Sequence, residues 1–477
     1  MIGILILKEL QSYLKQFHYY LLALILLILF VVNGIFFSHE YVEQNEYYER
    51  QINEISNRIT GPNVLSPPSR TVIFPPSPSL FCSSNNVNFT SISFNVRMER
   101  LTISQTTEEK GNFFLPIAQS MDWTFIVQII FSIVIILLSY NAITGEKEKK
   151  TLALIGSNSV SRFQIYISKF ISLFSASSII LLISMLMGLI TILIIGRIPV
   201  DSFLIGRLGI FFLVSMLYGS IFILIGLGCS VFSHSSTLSL LSAISMWLLL
   251  VIVLPESIDI AVKSTQTEPS NYELQQMYNE EEFDFNPNAY SDLKNMISPD
   301  RTYSDTEKEQ LIEGLNKRMV ELDNENVLRK RAIIDYIRNV YTSRYWAQQQ
   351  WKRFSPAIVF RMISEKLFYG GNYRFLDLLE QINNFSNSFH EDMYRRYNIR
   401  RDRIGGIMGT AVEINGERVM ISLDRPSLEY NGMEFLASKH DLRESLSLMM
   451  NDFIILLLLL TGLGVFGFIK FINYDIR

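Results

Sequence analysis

Six long runs of apolar residues, each free of Asp, Glu, Lys, Arg and His, constrain this chain more than any other feature. A helix needs about 20 predominantly apolar residues to cross the roughly 30 Å hydrocarbon core of a bilayer, and the runs are of that order. We therefore predict an all-α polytopic membrane protein. Its six transmembrane helices are expected at residues 19–37, 123–140, 170–195, 208–233, 236–254 and 453–469.

Two of the runs need a separate argument. Runs 208–233 and 236–254 are divided only by a short serine-rich turn around His234, but together they far exceed one crossing, so a helical hairpin is the better interpretation. Lys8 and Lys15 precede the first run, as in a signal peptide, yet no small-residue cleavage site follows Phe37. We interpret this run as a retained anchor.

Lysine and arginine in the short connections predict the orientation, because translocation of positive charge is disfavoured. Residues 141–169 carry several of them, and Lys8 and Lys15 lie near the N-terminus. We therefore expect both termini, including the tail 470–477, to be cytoplasmic, and the inserts 38–122 and 255–451 to lie outside. Arg197 and Arg207 also fall outside, which is mild evidence against this topology.

The composition excludes several classes of function. Apolar runs without ionisable residues disfavour ion-coupled carriers, proton pumps and voltage sensors, which need such groups inside the membrane. A net charge of −4 gives no basic surface for nucleic acid, and two cysteines cannot form a disulfide framework or a cysteine-based metal site. The sequence has no H-E-x-x-H, G-x-S-x-G or Walker motif. We therefore predict no catalytic residue, cofactor site or metal site.

The water-facing parts differ in character. Residues 1–18 form an amphipathic pattern, typical of a helix in the cytoplasmic headgroup layer, although an extension of the first span is the alternative. In the first insert an acidic, tyrosine-rich helix is expected to leave the membrane and meet the proline-rich stretch 61–80. We interpret that stretch as a rigid loop packed on the second insert; a ligand for a proline-binding module is the alternative.

The second insert, 255–451, is long enough to bury its own core. Helical spacing of apolar residues from Asp305 onward predicts a long helix or helical hairpin that ends before Pro356. Asn415-Gly416 between two short apolar segments, 410–414 and 417–423, is typical of a two-residue β-hairpin turn. The arginine-rich stretch 395–403 is interpreted as a solvated helix face. We expect a mainly helical domain with a small β element.

The connection after the second run is the most informative stretch, reading NAITGEKEKKTLALIGSNSVSRFQIYISKF over residues 141–170. We expect Gly145 to end the span, residues 146–150 to begin a charged helix, and residues 157–161 to turn the chain. Leu152, Leu154 and Ile155 would form a short apolar face. Such a loop helix suits a groove on a cytosolic partner. From the residues alone, an interfacial loop without a partner is an equally good interpretation.

This stretch resembles a segment of ABC-2-type transporter permeases that reads roughly G-E-[RK]-E-x-G-T-L-x-L-L-x-S-x-P-V-S-R, followed by a lysine. The residues that fit are Gly145, Glu146, Lys147, Glu148, Thr151, Leu152, Leu154, Ser157, Val160, Ser161, Arg162 and Lys169. Lys150 stands where the pattern has glycine and Ser159 where it has proline, which puts the geometry of the turn in question.

A second segment, residues 355–379, is similar to S-P-x-x-x-F-x-x-x-[AS]-E-x-L followed by a Phe-Leu pair. That pattern occurs outside the membrane in a branch of these permeases with a large insert before the last span. The residues that fit are Ser355, Pro356, Phe360, Ser364, Glu365, Leu367, Phe375 and Leu376. With the order of the spans, the resemblance covers nearly the whole chain.

The resemblance implies a permease subunit in the bacterial cytoplasmic (inner) membrane that pairs with a second permease, identical or related, and a cytosolic ABC ATPase dimer. The loop between spans two and three would be its coupling helix, carrying ATP-driven movement to the spans. The implied ATPase-coupling residues are Gly145, Glu146, Glu148, Thr151, Leu152, Leu154, Ser161 and Arg162, with a second cytoplasmic contact at Ser233, His234 and Ser235. Membrane lipids and an external protein are further expected partners, and nucleic acid is not.

Two rival functions remain open on the sequence. One is a membrane-anchored scaffold or receptor whose external domain binds a partner while the spans only hold it. The other is an enzyme that uses external carboxylates, although so many exposed carboxylates give little weight to any chosen pair. Co-purification with a separately encoded protein that bears a Walker motif separates a permease subunit from both.

Overall fold

The computed structural model describes residues 2–59, 69–73, 76–83, 92–97, 101–105, 121–151, 161–198, 202–265, 297, 303–315, 317–318, 343, 350–371, 373–374, 377–378, 380–381, 384–385, 388, 410–414, 417–421 and 442–472. Some predictions concern residues outside these ranges. Residues 61–68 of the proline-rich stretch, most of the predicted helix beyond residue 318 and the arginine-rich stretch 395–403 lie outside the described residues.

Six helices in the described part of the chain are long and apolar enough to cross a membrane. They are Phe17–Asn53, Trp123–Glu148, Arg162–Gly196, Ser202–Phe232, Ser236–Ile258 and Leu442–Ile472, here called spans one to six. This confirms the predicted all-α polytopic class with six spans. A separate N-terminal helix, Ile2–Leu14, precedes the first span.

The helices extend beyond the apolar runs that predicted them. The helix of the first span continues to Ile59, so its acidic, tyrosine-rich part is helical as expected. Span three begins at Arg162 and span six at Leu442, which brings Lys169 and Asp452 inside helices, at 2% and 0% exposure. The apolar runs are free of ionisable residues, but the helices are not. Lys169 and Asp452 are each paired with charged side chains of other elements.

Two of the spans contain a π-helical turn. In span two, the turn Ile126–Phe131 lies between Trp123–Phe125 and Ser132–Ser139. In span five, Leu249–Val253 follows Ser236–Leu248 and leads into the helix Leu254–Thr265. Such turns leave a backbone carbonyl without its usual intrahelical partner and occur frequently at functional positions.

Close backbone approach holds spans one and three together. A Cβ atom added to Gly188 would lie 3.1 Å from the carbonyl oxygen of Phe30, and one added to Gly34 would lie 3.1 Å from that of Gly188. In lipid, where helices have no hydrophobic drive to associate, small residues allow this contact. Span four is the most buried of the six, with Tyr218, Ile221, Phe222 and Ile223 fully inaccessible.

Two antiparallel sheets interrupt the helical architecture. The first has the order 69–73, 92–97 and 101–105, with Thr71 paired to Asn95 and Phe94 to Ile103. This sheet was not predicted: its first strand lies within the proline-rich stretch, where only a loop was expected. The second consists of Thr410–Ile414 and Glu417–Ile421, with Val412 opposite Val419. It is the small β element expected around Asn415-Gly416, a dipeptide outside the described residues.

One helix of the second insert lies inside the bundle. Every residue of Pro356–Phe368, here called the insert helix, is buried except Arg361 and Lys366. It packs on spans four and six and on the π-helical turn of span five. The end of the bundle that it occupies is called the insert end, and the opposite end, with residues 140–151, 161–163 and 233–236, the loop end. Residues 255–451 are therefore not wholly water-facing.

Candidate functional site

Among the described residues between spans two and three, a short helix lies at the loop end. It runs from Thr144 to Glu148, so Gly145 lies inside this helix rather than ending the span as expected. The backbone N–H groups of Ile143 and Thr144 donate to Ser230 Oγ at 3.0 and 2.9 Å. A side chain of span four thus satisfies donors that the start of a helix leaves without internal partners.

Lys147 joins this loop helix to the end of span four. Its Nζ donates to the carbonyl oxygens of Ser230, Val231 and Ser233, at 3.3, 2.6 and 3.2 Å. The last carbonyls of a helix carry the negative end of its dipole and have no intrahelical donors. The ammonium therefore caps the helix Ser202–Phe232.

Glu148 performs the opposite role at the start of span five. Its Oε1 accepts from the backbone N–H of Ser236 at 2.7 Å, and its Oε2 lies 2.7 Å from Ser236 Oγ. A carboxylate at a helix N-terminus is stabilised by the helix dipole. Ser235 caps the same helix by accepting from Leu238 N at 3.4 Å. The loop helix therefore bridges spans four and five on either side of His234, which is exposed.

Glu146 points to the other side of the loop helix, into a buried ion cluster. Lys169 Nζ, on a side chain only 2% exposed, lies 2.7 Å from Glu146 Oε1 and 3.3 Å from Glu9 Oε1. The two carboxylates are 20% and 19% exposed. Removing one partner from such a cluster leaves a buried charge uncompensated. Lys169 thus ties the N-terminal helix, the loop helix and span three together.

The N-terminal helix makes further contacts with this cluster. Ser172 Oγ in span three donates to the carbonyl oxygen of Ile6 at 3.0 Å. Tyr13 is buried beside the cluster, and burial, reinforced by the charges of Glu9 and Glu146, raises the pKa of its phenol. The same helix leaves Ile4 and Leu7 exposed, at 73% and 60%. Exposed apolar side chains of this kind are typical of a helix in a headgroup layer, and that position stays a prediction.

Lys150 ends the loop helix in a left-handed conformation, with φ of 58°. This is the position at which the permease pattern has glycine, the residue that adopts positive φ without strain. The charged helix therefore stops at Glu148 rather than extending to Lys150. Thr151 Oγ1 donates to the carbonyl oxygen of Glu146 at 3.3 Å. Leu152 and Leu154, both predicted coupling residues, lie outside the described part of the chain.

Span three begins with a capping box. Ser161 Oγ accepts from Gln164 N at 3.2 Å, and Gln164 Oε1 accepts from Ser161 N at 3.1 Å. Arg162 donates to the carbonyl oxygen of Ile472 in span six. The predicted residues Ser161 and Arg162 thus fix the entry of span three and join it to the last span.

The structure shows which contacts the predicted site residues make within the chain, and their role in coupling stays a prediction. Glu146, Glu148, Ser161 and Arg162 bond within the chain. The exposed outer surface consists of Lys149, Lys150, His234 and Phe163, together with Glu148 and Ser161. Lys147, Lys169, Ser230 and Ser236 were not predicted as site residues. Lys147 and Lys169 match the permease pattern, so the sequence could have identified them as site residues. Nothing in the sequence around Ser230 and Ser236 identifies these serines as their partners. In the described residues no group of three His, Cys, Asp or Glu side chains is placed to hold a metal ion.

Comparison with known proteins adds one finding. A family model described as ABC-2 family transporter protein matches residues 4–304. The matched region includes the N-terminal helix, spans one to five and the loop helix with its partners in the chain. The insert helix and span six lie beyond it. No curated protein matches the chain.

Proposed function

This chain belongs to the ABC-2 family of transporter proteins, and on that premise we propose that it is a permease subunit driven by a separate cytosolic ATPase. The loop end would face the cytoplasm, so that ATP hydrolysis by the partner moves the spans from that side. The work delivered is export, or mechanical action on a partner outside the membrane. The chain itself would supply no catalytic residue.

The observation that supports this proposal best is the bonding of the loop helix. Within five residues it contacts span four through Lys147, span five through Glu148 and span three through Glu146. Lys169 of span three, the partner of Glu146, extends this bonding to Glu9 of the N-terminal helix. It is also the continuation of span two. A force applied to this helix therefore reaches five other elements through charge-assisted hydrogen bonds, which are stronger than neutral ones.

The same bonding suggests a division of roles among the predicted coupling residues. Glu146, Glu148 and Arg162 would transmit movement, because each is engaged inside the chain. The direct contact with the ATPase would be made by the exposed Lys149, Lys150, Ser161 and His234. Exposed rim charges of this kind steer association and set its salt dependence.

The proposed function also implies how many subunits the complex contains. Two cytosolic ATPase subunits that close around ATP require two permease halves, so a second copy of this chain or a related permease is expected. Membrane lipids would cover the exposed apolar faces of the spans, such as Leu241, Leu458 and Val465. An external partner protein would contact the inserts.

Co-purification from membranes tests this function. The full chain is expected to retain a separately encoded protein with a Walker motif. Lys149→Glu, which reverses a charge on the outer surface without touching a bond described above, is expected to reduce that retention at least tenfold. Lys15→Glu, an exposed lysine of the N-terminal segment, is the matched control. If neither the wild type nor the control retains an ATPase, the chain is a scaffold or receptor rather than a permease subunit.

A further inference from the structure

The insert helix is anchored in the bundle through charged and amide groups, at two separate points. Spans four and six and the two π-helical turns surround it at the insert end. Burying charged groups costs free energy unless they are paired, so their partners identify which spans the insert is fixed to.

The first anchor is Asp452 of span six, which is fully buried. Its Oδ2 lies 2.5 Å from Lys366 Nζ, and its Oδ1 lies 3.0 Å from Arg353 Nε. Lys366 also donates to the carbonyl oxygen of Leu448 at 3.3 Å. Both cations belong to the insert, while the carboxylate and the carbonyl belong to the span. This ion cluster joins the insert to span six, although the paired residues are far apart in the sequence.

The second anchor is Gln128, 2% exposed, in the π-helical turn of span two. Its Oε1 accepts from Arg361 Nε of the insert helix at 3.1 Å. Its backbone carbonyl accepts from Tyr218 OH of span four at 2.7 Å. The π-helical turn thus presents both the side chain and the carbonyl of one residue to different elements.

Apolar contacts and one further hydrogen bond lie between these anchors. The Phe360 ring stacks on Tyr218 with centroids 4.7 Å apart, and Phe368 meets Phe211 edge to face at 5.4 Å. Ser355 Oγ donates to the carbonyl oxygen of Leu250, in the π-helical turn of span five, at 2.6 Å. Packed interfaces of this kind move between discrete arrangements rather than deforming continuously.

Span two carries an anchor at each end. Gln128 contacts the insert helix, and Glu146 and Glu148, further along the chain, connect the loop helix to spans three and five. A displacement of the loop end would reach the insert through the loop helix, the turn at residues 140–143 and the preceding helix Ser132–Ser139. Asp452 fixes the other side of the insert helix to span six, which Arg162 joins to the loop end.

We propose that Gln128 and Asp452 are positioning residues that fix the external insert to spans two and six, so that the insert changes position when the ATPase moves the spans. The proposal rests on the proposed function for its source of energy. It assigns to the insert the role of the part that does the work outside. Both residues act through Arg361, Lys366 and Arg353 rather than by touching cargo.

The test measures a distance between the insert and span three, which does not contact the insert helix closely. Spin labels replace Phe354 and Ile194, 66% and 72% exposed, in a chain carrying Cys82→Ala and Cys229→Ala. The labelled full chain is reconstituted with its ATPase in lipid vesicles. Electron–electron resonance then compares the nucleotide-free complex with the ATP-trapped one. The wild type is expected to show two different distances.

Variants then separate transmission from simple stability. Asp452→Asn and Gln128→Leu are expected to abolish the ATP-dependent change in distance, and Asp452→Glu, which keeps the charge, to restore it at least in part. Glu309→Gln, an exposed change in the insert, is the control and leaves the distance change intact. Thermal unfolding identifies any variant that fails to fold. If Asp452→Asn does not fold, the distance measured in Gln128→Leu, which removes no charge, decides whether the proposal holds.

Two results would overturn the proposal. One is an ATP-dependent distance change that persists in both Gln128→Leu and Asp452→Asn. The other is a wild-type complex in which ATP is hydrolysed and the distance stays constant. In that second case the permease assignment stands and only the anchoring role fails, whereas absence of any associated ATPase defeats the assignment itself.

Discussion

Glu365 shows how strongly position within the fold changes a single side chain. The residue lies in the insert helix and is 4% exposed, beside Gly371, whose added Cβ would lie 2.8 Å from the Glu365 carboxyl carbon. Burial raises the pKa of this carboxyl to about 7, with Arg361 and Lys352 lowering it and Asp122 raising it further. In an exposed helix the same glutamate would be ionised at neutral pH.

The pKa of Glu365 gives stability a pH dependence of definite sign. From about pH 4.5 to 7 the folded chain holds a proton at Glu365 that the unfolded chain releases, so stability falls as pH rises through this window and levels off above it. Glu365→Gln, which is neutral throughout, is expected to remove a pH-dependent loss of about 3 kcal/mol. Thermal unfolding at pH 4.5 and pH 8 measures it. Equal pH dependence in the two proteins would contradict the assignment.

At the scale of elements, the loop helix depends on its neighbours. Five residues are too few for a stable isolated helix, because nucleation is costly and few hydrogen bonds repay it. The helix is held instead by contacts with other elements. Ser230 accepts hydrogen bonds at its start, and Glu146 takes part in the ion cluster. Lys147 caps span four and Glu148 caps span five. The loop helix therefore moves with the elements that hold it.

The ion cluster of Lys169 is the most sensitive of these contacts. Lys169→Met keeps the buried stem but leaves Glu146 and Glu9 facing each other without a cation. We expect a loss of roughly 2–4 kcal/mol in the free energy of unfolding, since the carboxylates are only a fifth exposed. Lys15→Met, at an exposed lysine that follows the N-terminal helix, is expected to cost less than about 0.5 kcal/mol. Thermal unfolding in detergent compares the two, and losses of equal size would contradict a structural role for the cluster.

The elements differ in how far the sequence predicts them. The spans were predictable because length and lack of charge are local signals, and the hairpin because Asn-Gly sets its own turn. The sheet 69–73, 92–97 and 101–105 was not, since its first strand lies among prolines and its partner comes about 20 residues later. The insert helix is apolar over most of its length but carries Arg361, Glu365 and Lys366, so its sequence does not indicate that nearly all of it is buried.

The sequence also identifies only some of the residues of the candidate site. Glu146, Glu148 and Arg162 were found from a local pattern, but their partners Lys169, Ser236 and Ile472 are brought to them by the packing of spans. Asp452 lies immediately before an apolar run and looks like a boundary residue in sequence. The two cations that pair with Asp452, Lys366 and Arg353, lie 86 and 99 residues before it in the sequence. No sequence periodicity links such distant residues.

For the molecule as a whole, the two clusters at opposite ends of the bundle would form a single transmission path under the proposed function. The loop end gathers five elements around one short helix, and the insert end fixes the insert helix to spans two and six. Span two takes part in both. We expect a cytosolic ATPase to act on the loop end.

Cross-linking from one defined position tests that claim most directly. A photoreactive amino acid at Lys149, on the exposed surface of the loop helix, is activated in membranes that contain the whole complex, with Ser257 at the insert end as the matched exposed position. The account predicts an adduct between position 149 and a protein with a Walker motif, and none from position 257. An adduct of that protein with position 257 alone, or no adduct from position 149 in membranes where the ATPase is present, would contradict it.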